Sequence, residues 1–382
     1  MAFAIFIFTL VLLIIHAVLI ENYRRWFLQL KPFILPIGSI PFTRFSVIIP
    51  ARNEESNIAG CLQSVMRQNY PVELFEVIVV DDYSTDNTAG IVQELQMQYA
   101  NLKLIQLEKL LHTKQLNSYK KKAIEKAIEQ ASGDWIVTTD ADCLVNKNWL
   151  QCFSGFIMER NPVFVAAPVA FFNDHSFLSV FQSLDFMSLQ GITAASVNKG
   201  FHSMCNGANL AYKKLMFTAV NGFAGIDNIA SGDDMLLMHK IYEKQPEGAK
   251  FLLAQDAIVR TVAMPDWKSF FNQRIRWASK AGSYQDKRIF WVLAFVYFLN
   301  LLLLVIFIAA FFRPVLFVYW LILLVVKTLT EFRFMSIVAA FFGEQKLLKW
   351  FGWMQPFHIT YTVIAGWLGK FGSYQWKGRK VK

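Results

Sequence analysis

Hydrophobic and polar positions divide this chain into an apolar start, an alternating middle and an apolar end. From Met1 to Ile20 the only polar side chains are Thr9 and His16, which gives roughly the 20 apolar residues that a helix needs to cross a bilayer core. A cleaved leader would carry its positive charge ahead of the apolar run, whereas Arg24, Arg25 and Lys31 come after it here. The run therefore reads as an anchor, residues 1–22, with a linker at 23–44, and the positive-inside rule puts the central region in the cytoplasm. A second apolar stretch, Phe290 to Phe312, is interrupted only by Asn300; it is preceded by Lys287 and Arg288, so it leaves the cytoplasm. Pro314 to Val326 is a third candidate, and Trp350 to Trp367 a fourth, weakened by Pro356 and His358. A cytoplasmic tail at Lys377, Arg379, Lys380 and Lys382 requires an even number of crossings after Phe290. One segment must then dip, lie in the interface, or sit unrecognised around Phe334 to Phe342.

Between Phe45 and about Pro265 the period changes, and short β-branched runs alternate with helical stretches. Strands are predicted at Phe45 to Ile49, Glu76 to Val80, Leu102 to Leu107, Trp135 to Thr139 and Val163 to Val169. Helices are predicted from about Glu55 to Gln68, Asn87 to Tyr99 and Ser118 to Ala131. The resulting β-α-β-α-β-α-β series implies an α/β fold with a mainly parallel sheet covered on both faces. Such sheets bind ligands beyond the carboxyl ends of their strands.

Composition sharpens this picture in two places. The chain is 55% hydrophobic with 36 phenylalanines, massed at its two ends, which fits an integral membrane protein. Its net charge of +10 does not point to nucleic acid, because the basic residues cluster beside the apolar segments and between Lys114 and Lys126. Cys61, Cys143, Cys152 and Cys205 lack the paired spacing of zinc or redox motifs and fit free thiols in a reducing compartment.

The residues after the strands are unusually acidic. The first strand runs into Pro50-Ala51-Arg52-Asn53-Glu54-Glu55, the second into Asp81-Asp82-Tyr83-Ser84, and the strand at Trp135 into Asp140-Ala141-Asp142. Each group alone could be a helix cap, with Ser84, Thr85, Asp86 and Asn87 well suited to that task. Three acidic strand ends on one sheet edge repel one another unless a cation or ligand lies between them. A calcium loop over Asp82, Ser84 and Asp86 fails at Asn87, where Gly is needed, and at Gln93, where Glu is needed.

Asp140 and Asp142 offer hard oxygen ligands for Mg²⁺ or Mn²⁺, whose remaining positions suit a diphosphate leaving group. Further on, Ser231-Gly232-Asp233-Asp234 opens the apolar-periodic segment Met235 to Tyr242. It reads either as an N-capped helix or as the general base of an inverting sugar transfer, with Asp234 the candidate and Asp233 the alternative. A third group, Gln273-Arg274-Ile275-Arg276-Trp277, lies in a segment where Trp267, Phe270, Phe271, Arg274 and Ala278 recur at helical spacing. That spacing predicts an amphipathic helix on the membrane surface, from which Arg276 could grip a diphosphate and Trp277 could stack on a sugar.

In that order these motifs resemble the membrane-bound branch of glycosyltransferase family 2, the group of cellulose, hyaluronan and poly-N-acetylglucosamine synthases and ceramide glucosyltransferase. The resemblance runs from Phe45 to Trp277. It implies a GT-A fold, a UDP-sugar donor and inversion at the anomeric carbon. Under it, Asp82 binds the uracil with Pro50 and Glu54 lining that pocket, and Asp140 and Asp142 hold ribose and the metal-bound diphosphate. Asp234 is the base, and Gln273, Arg276 and Trp277 close the site near the acceptor, with Asp233 on the acceptor side. Lys122 stands where the family carries a basic residue before the Asp-x-Asp strand, in a Lys120-Lys121-Lys122 run that leaves the register open. Gly207, in Asn206-Gly207-Ala208-Asn209, matches an acceptor-side loop, although Lys213 and Lys214 replace the arginine pair often found after it.

The expected layout is an anchor at 1–22, a linker at 23–44 and a GT-A catalytic domain at 45–265. An interfacial segment at 266–288, a membrane region at 289–370 and a basic tail at 371–382 complete it. The expected reaction is metal-dependent transfer to a lipid, lipid-linked or glycan acceptor at the cytoplasmic face of a bacterial inner or cell membrane. Two alternatives stand beside it. One is a subunit of a processive polysaccharide synthase, with a homo-oligomer or a secretion partner completing its channel. The other is a haloacid-dehalogenase-like phosphohydrolase, which also uses Asp-x-Asp after an apolar strand but normally the first one. A dinucleotide-binding enzyme is excluded, since Pro50 to Ser56 has no glycine for the required turn.

Overall fold

A computed structural model of the chain describes residues 2–36, 38–110, 118–202, 204–227, 229, 232–280, 284, 286–371, 374–376 and 379–381. Met1, Lys114, Ser231, Lys377 and Lys382 lie outside the described residues, as do the side chains of Arg379 and Lys380. The chain forms two compact units: an α/β unit of Lys31–Ala170 and Ser203–Val262, and a helical unit of Met1–Leu30, Phe171–His202 and Ala263–Lys382.

The α/β unit begins with the predicted series. Strands β1 (Phe45–Ala51), β2 (Phe75–Asp81), β3 (Leu102–Gln106) and β4 (Trp135–Thr138) are joined by α2 (Ile58–Met66) and α3 (Thr88–Gln96), and then by the short α4 (Leu107–Leu110) and α5 (Tyr119–Gln130). They lie in the order β3-β2-β1-β4 and all run parallel. Strand β2 is buried throughout and β1 at all but Pro50, so their near-continuous apolar runs are those of strands covered on both faces.

Beyond β4 the sheet departs from the simple alternation. After β5 (Cys143–Leu144) and α6 (Trp149–Arg160), the single strand predicted at Val163 to Val169 is in fact two, β6 (Phe164–Ala166) and β7 (Val169–Phe171). Pro168 cannot donate to a ladder, and the break falls there. Strand β8 (Leu210–Lys213) inserts antiparallel between β4 and β6, and β9 (Ala249–Phe251) closes the sheet parallel to β6. The result is a seven-stranded, mainly parallel sheet, β3-β2-β1-β4-β8-β6-β9, with a second sheet of β5, β7 and β10 (Val259–Thr261). Helices α8 (Lys214–Ala219) and α9 (Met235–Lys244) come after β8.

The helical unit holds α1 (Ala2–Gln29), α7 (Phe177–Lys199), α10 (Trp267–Ala278), α11 (Lys287–Ala310), α12 (Val315–Phe342) and α13 (Phe351–Phe371). A hairpin of β11 (Tyr374–Trp376) and β12 (Arg379–Val381) ends it. Among the described residues three helices, α1, α11 and α12, are long and apolar enough to cross a membrane. Helix α12 starts after Pro314 and stops at Gly343, whose φ of 73° is the left-handed cap glycine accepts freely. Phe334 to Phe342 is therefore the last part of α12 and not a separate segment. Helix α7 is an addition to the predicted elements: 16 of its 23 residues are buried, so no apolar stripe marks it. It approaches α12 closely at Gly191, where an added methyl would lie 2.5 Å from Val338 Cγ2 and 2.9 Å from Phe334 Cζ.

Candidate active site

The ends of β1 and β2 are knitted together before any ligand is considered. Asp82 N donates to Ala51 O at 2.8 Å, and Arg52 Nη1 donates to the carbonyls of Asp82 (2.6 Å) and Tyr83 (2.9 Å). Glu54 N donates to Thr88 Oγ1 and Glu55 N to Asp86 Oδ2, while Thr85 N and Asn87 N donate back to Asn53 Oδ1 and Glu55 Oε2. Asn53 and Tyr83 hold φ of 50° and 53°, a left-handed conformation that asparagine tolerates but that is uncommon for tyrosine. Asp86 Oδ1 accepts from Thr88 N at the start of α3, and Glu54 Oε2 accepts from Asn57 Nδ2 at 2.8 Å. Asp82 is buried at this edge, just past the last residue of β2, which lies opposite Ala51 of β1. Burial pushes the neighbouring Asp81 carboxyl up against the opposing hydrogen bond from Ser84.

A second group forms beyond β4. Lys120 Nζ, from the first turn of α5, donates to Asp140 Oδ1 at 2.7 Å and lies 3.4 Å from Asp233 Oδ2. Burial opposes the lysine's charge, but Asp140 and then Asp233 outweigh it and hold its pKa above that of an ordinary lysine. Three adjacent lysines have three fates, because each helical step turns the side chain by about 100°. Lys120 meets the acids, and Lys121 is buried with its ammonium on the carbonyls of Ile226 and Ile229. Lys122 pairs with Glu125 on the same helix at 2.5 Å. The lysine that meets these acids is Lys120, while Lys122 pairs along α5; the rotation of α5 against the sheet decides which of the three does so.

Gly207 connects this group to the start of α9. Its N–H donates to Asp234 Oδ2 at 3.0 Å, and its carbonyl accepts from Thr138 Oγ1, at the end of β4, at 2.7 Å. A methyl on Gly207 would lie 3.4 Å from Asp233 Oδ2 and 3.5 Å from Lys120 Nζ, so this backbone borders both side chains at ordinary contact distance. The turn is locked by buried Asn209, which donates to the carbonyls of Pro168 and Ala257 and accepts from Trp149 Nε1. Asp234 is the N-cap of α9, accepting from Met235 N at 2.7 Å. The capping reading is therefore realised, yet each carboxylate oxygen keeps a second acceptor site. Lys120, Asp140, Gly207, Asp233 and Asp234 thus come together in the α/β unit.

Gln273, Arg276 and Trp277 belong to α10 in the helical unit. Asp266 caps this helix by accepting from Ser269 N at 2.8 Å.

For a divalent cation, Asp140 and Asp142 supply carboxylate oxygens of the hard type that Mg²⁺ and Mn²⁺ prefer. Among the described residues no group of three or more His, Cys, Asp or Glu side chains gathers to hold a metal. A two-carboxylate set fits an ion whose other ligands are substrate phosphates and water, and not an ion caged by protein.

The chain has counterparts among known proteins. Residues 46–216 match glycosyl transferase family 2, and residues 135–340 match glycosyl transferase family group 2. The chain belongs to glycosyltransferase family 2. It is 39% identical over 114 residues to the glycosyltransferase AglE of Haloferax volcanii, a match covering 30% of this chain and 34% of that one. It is 31% identical over 114 residues to a beta-monoglucosyldiacylglycerol synthase of Synechocystis, covering 30% of this chain and 23% of that one. The matches thus span about a third or less of these relatives' own lengths. A mannosyltransferase of Pyrobaculum calidifontis, solved with GDP-mannose and Mn²⁺, superposes with a TM-score of 0.60 at 18% identity, over 97% of this chain and 99% of that one. That likeness establishes the GT-A-like fold for this family member.

Proposed function

We propose that this family 2 protein is an inverting glycosyltransferase that moves a sugar from a UDP-sugar to a lipid or lipid-linked acceptor at the cytoplasmic face of a membrane. The observation that carries the proposal is the meeting of Lys120, Asp140, Asp233 and Asp234 beyond the carboxyl end of β4. Asp82, Pro50 and Glu54 form the neighbouring edge suited to the base and ribose of the donor. Asp140 and Asp142 would hold Mg²⁺ or Mn²⁺, which neutralises charge on the departing nucleotide diphosphate. Lys120 then has its own part: its ammonium shares Asp140 with any incoming cation and can turn to the diphosphate oxygens.

Asp234 is the base. Its two backbone hydrogen bonds fix the carboxylate's direction, so a second lone pair can take the acceptor hydroxyl's proton as that oxygen attacks the anomeric carbon. Asp233 faces the Lys120 cation, which suits an orienting role on the acceptor side. Gln273, Arg276 and Trp277 are assigned to the acceptor end.

The helices support the membrane reading. With α1, α11 and α12 crossing, two crossings come after the catalytic region, the even number that a cytoplasmic tail requires. Helix α13, which carries Gln355, Pro356 and His358, then lies along the bundle, packed on α10 and α11. A lipid acceptor is favoured because the relatives include a glucosyldiacylglycerol synthase and because three spans are few for a secretion channel. The test is a screen of UDP-sugars with membranes containing the protein, reading UDP release and the mass of any newly glycosylated lipid. UDP release with labelled lipid is expected; labelled polymer in place of lipid would favour the processive alternative. Inorganic phosphate released from phosphoesters, with an aspartyl-phosphate at Asp140, would overturn the assignment.

A further inference from the structure

The helical unit buries an ion pair that sugar transfer does not itself use. Asp185 of α7 and Arg274 of α10 approach to 2.7 Å with side chains only 3% and 4% exposed. Tyr361 of α13 donates its hydroxyl to Asp185 Oδ1, and His358 Nε2 lies 3.7 Å from the same oxygen. Burying two charges carries a large desolvation cost, and apolar residues of similar volume would often be at least as stable, so such a pair invites a reason beyond stability. The reason lies in what the guanidinium touches. Arg274 Nη1 donates to Gln273 Oε1 at 2.8 Å, and the guanidinium carbon sits 4.3 Å from the centre of the Trp277 ring and 4.8 Å from that of Phe270. One side chain therefore holds both ends of the Gln273 to Trp277 motif, and helices α7 and α13 fix that side chain through Asp185.

We infer that Asp185 and Arg274 are positioning residues, which set Gln273 and Trp277 for the acceptor without touching substrate themselves. A lysine could keep the charge but not the planar face against indole, so the choice of arginine follows from the stack. The inference rests on the assignment of Trp277 to the acceptor end, and the experiment separates the two.

Four single variants, Asp185→Asn, Arg274→Lys, Trp277→Phe and Trp277→Ala, and three double variants, Asp185→Asn/Trp277→Ala, Asp185→Asn/Trp277→Phe and Arg274→Lys/Trp277→Phe, are compared. Transfer is measured with membranes and a UDP-sugar, alongside acceptor-independent UDP release. The emission of Trp277 is taken as the difference between each protein and its Trp277→Phe counterpart. Asp185→Asn is expected to shift the Trp277 emission and to slow transfer about 10-fold, within the range for coupled residues in contact. Acceptor-independent UDP release should stay within about 2-fold of the parent, as for a residue outside the donor site. Arg274→Lys should reproduce both changes while retaining most of the thermal stability. The double variant Asp185→Asn/Trp277→Ala should transfer no more slowly than Trp277→Ala alone, because Asp185 acts through that ring. An unmoved Trp277 emission in Asp185→Asn, or fully additive losses in that double variant, would overturn the inference. A Trp277→Ala protein with parental transfer would instead remove Trp277 from the acceptor end, and the positioning role with it.

Discussion

The two ends of the central sheet treat their carboxylates in opposite ways. At the amino end of β2, Glu76 is 7% exposed and accepts from Ser46 Oγ at 2.6 Å, from Lys103 Nζ at 2.7 Å, and from both the N–H and the hydroxyl of Ser132. Burial alone would raise its pKa, but Lys103, Ser46 and Ser132 together bring it down to about 2. At the carboxyl end, Asp140 keeps 38% of its side chain exposed and meets a lysine that it shares with Asp233. Glu76, held by four hydrogen bonds from three residues of the sheet and its flanking loop, serves the fold. Asp140, half exposed and paired with one lysine, keeps acceptor sites open, which is what the proposed donor site needs.

The strongest way to break this contrast is at Asp142. Asp142→Asn, or excess chelator on the parent protein, should lower transfer by roughly 10³ or more, since a bound ion supplies several kcal/mol to a charged leaving group. The melting temperature should stay where it was. Full turnover in chelator would mean that no metal is required at this edge.

Next comes the base. Asp234→Asn preserves shape and caps nearly as well, but it cannot take a proton, so turnover should drop by roughly 10² to 10⁴ with UDP affinity intact. Asp233→Asn should be milder. Near-parental turnover in Asp234→Asn would transfer the role to Asp233.

Lys120→Met tests whether the ammonium belongs to the site or only to the fold. Losing charge-assisted hydrogen bonds worth about 1.5–3 kcal/mol should weaken UDP binding about 10- to 100-fold. Lys122→Met, which removes only a pairing with Glu125 along α5, should leave UDP binding unchanged. Equal effects from the two lysines would erase the difference in register between them.

The smallest effect on activity is expected at the opposite end of the sheet. Glu76→Gln should cost about 1.5–3 kcal/mol of stability near neutral pH, because its oxygens accept from a charged group. The chemistry of transfer should be spared. Since folding lowers this carboxyl from 4.5 to about 2, its contribution is complete above pH 4.5 and is lost as pH falls towards 2. Thermal melts between those pH values should show a steeper loss in the parent than in Glu76→Gln. Parallel curves would mean that Glu76 is not held in this way.

Much of the candidate site was legible because the information was local. Strand β1 ends at Ala51, β2 at Asp81 and β4 at Thr138, each within about two residues of the pattern-based boundary, and the residues just past a parallel strand lie at the binding edge. Where partners came from far along the chain, the pattern was silent. Strands β8, β9 and β10 have only three or four residues each, too few for a period to show. Asp185 gave no signal, because it is one acidic residue in a helix buried on most sides, and its partner Arg274 is 89 positions away. Even the choice among Lys120, Lys121 and Lys122 depended on how α5 is rotated against the sheet, which three identical residues cannot encode.

The sequence by itself determined the membrane-type helices, the parallel start of the sheet and the acidic strand ends. Each follows from a run or a period within one segment, where burial of apolar area and strand direction leave few choices. Only the tertiary structure decided that β8 lies antiparallel between β4 and β6, that Lys120 is the lysine among the acids, and that Phe334 to Phe342 completes α12. It alone paired Asp185 with Arg274. A charge in the interior is tolerable only where the packed chain brings it a partner, and that partner is chosen by the packing of whole elements and not by neighbours in sequence.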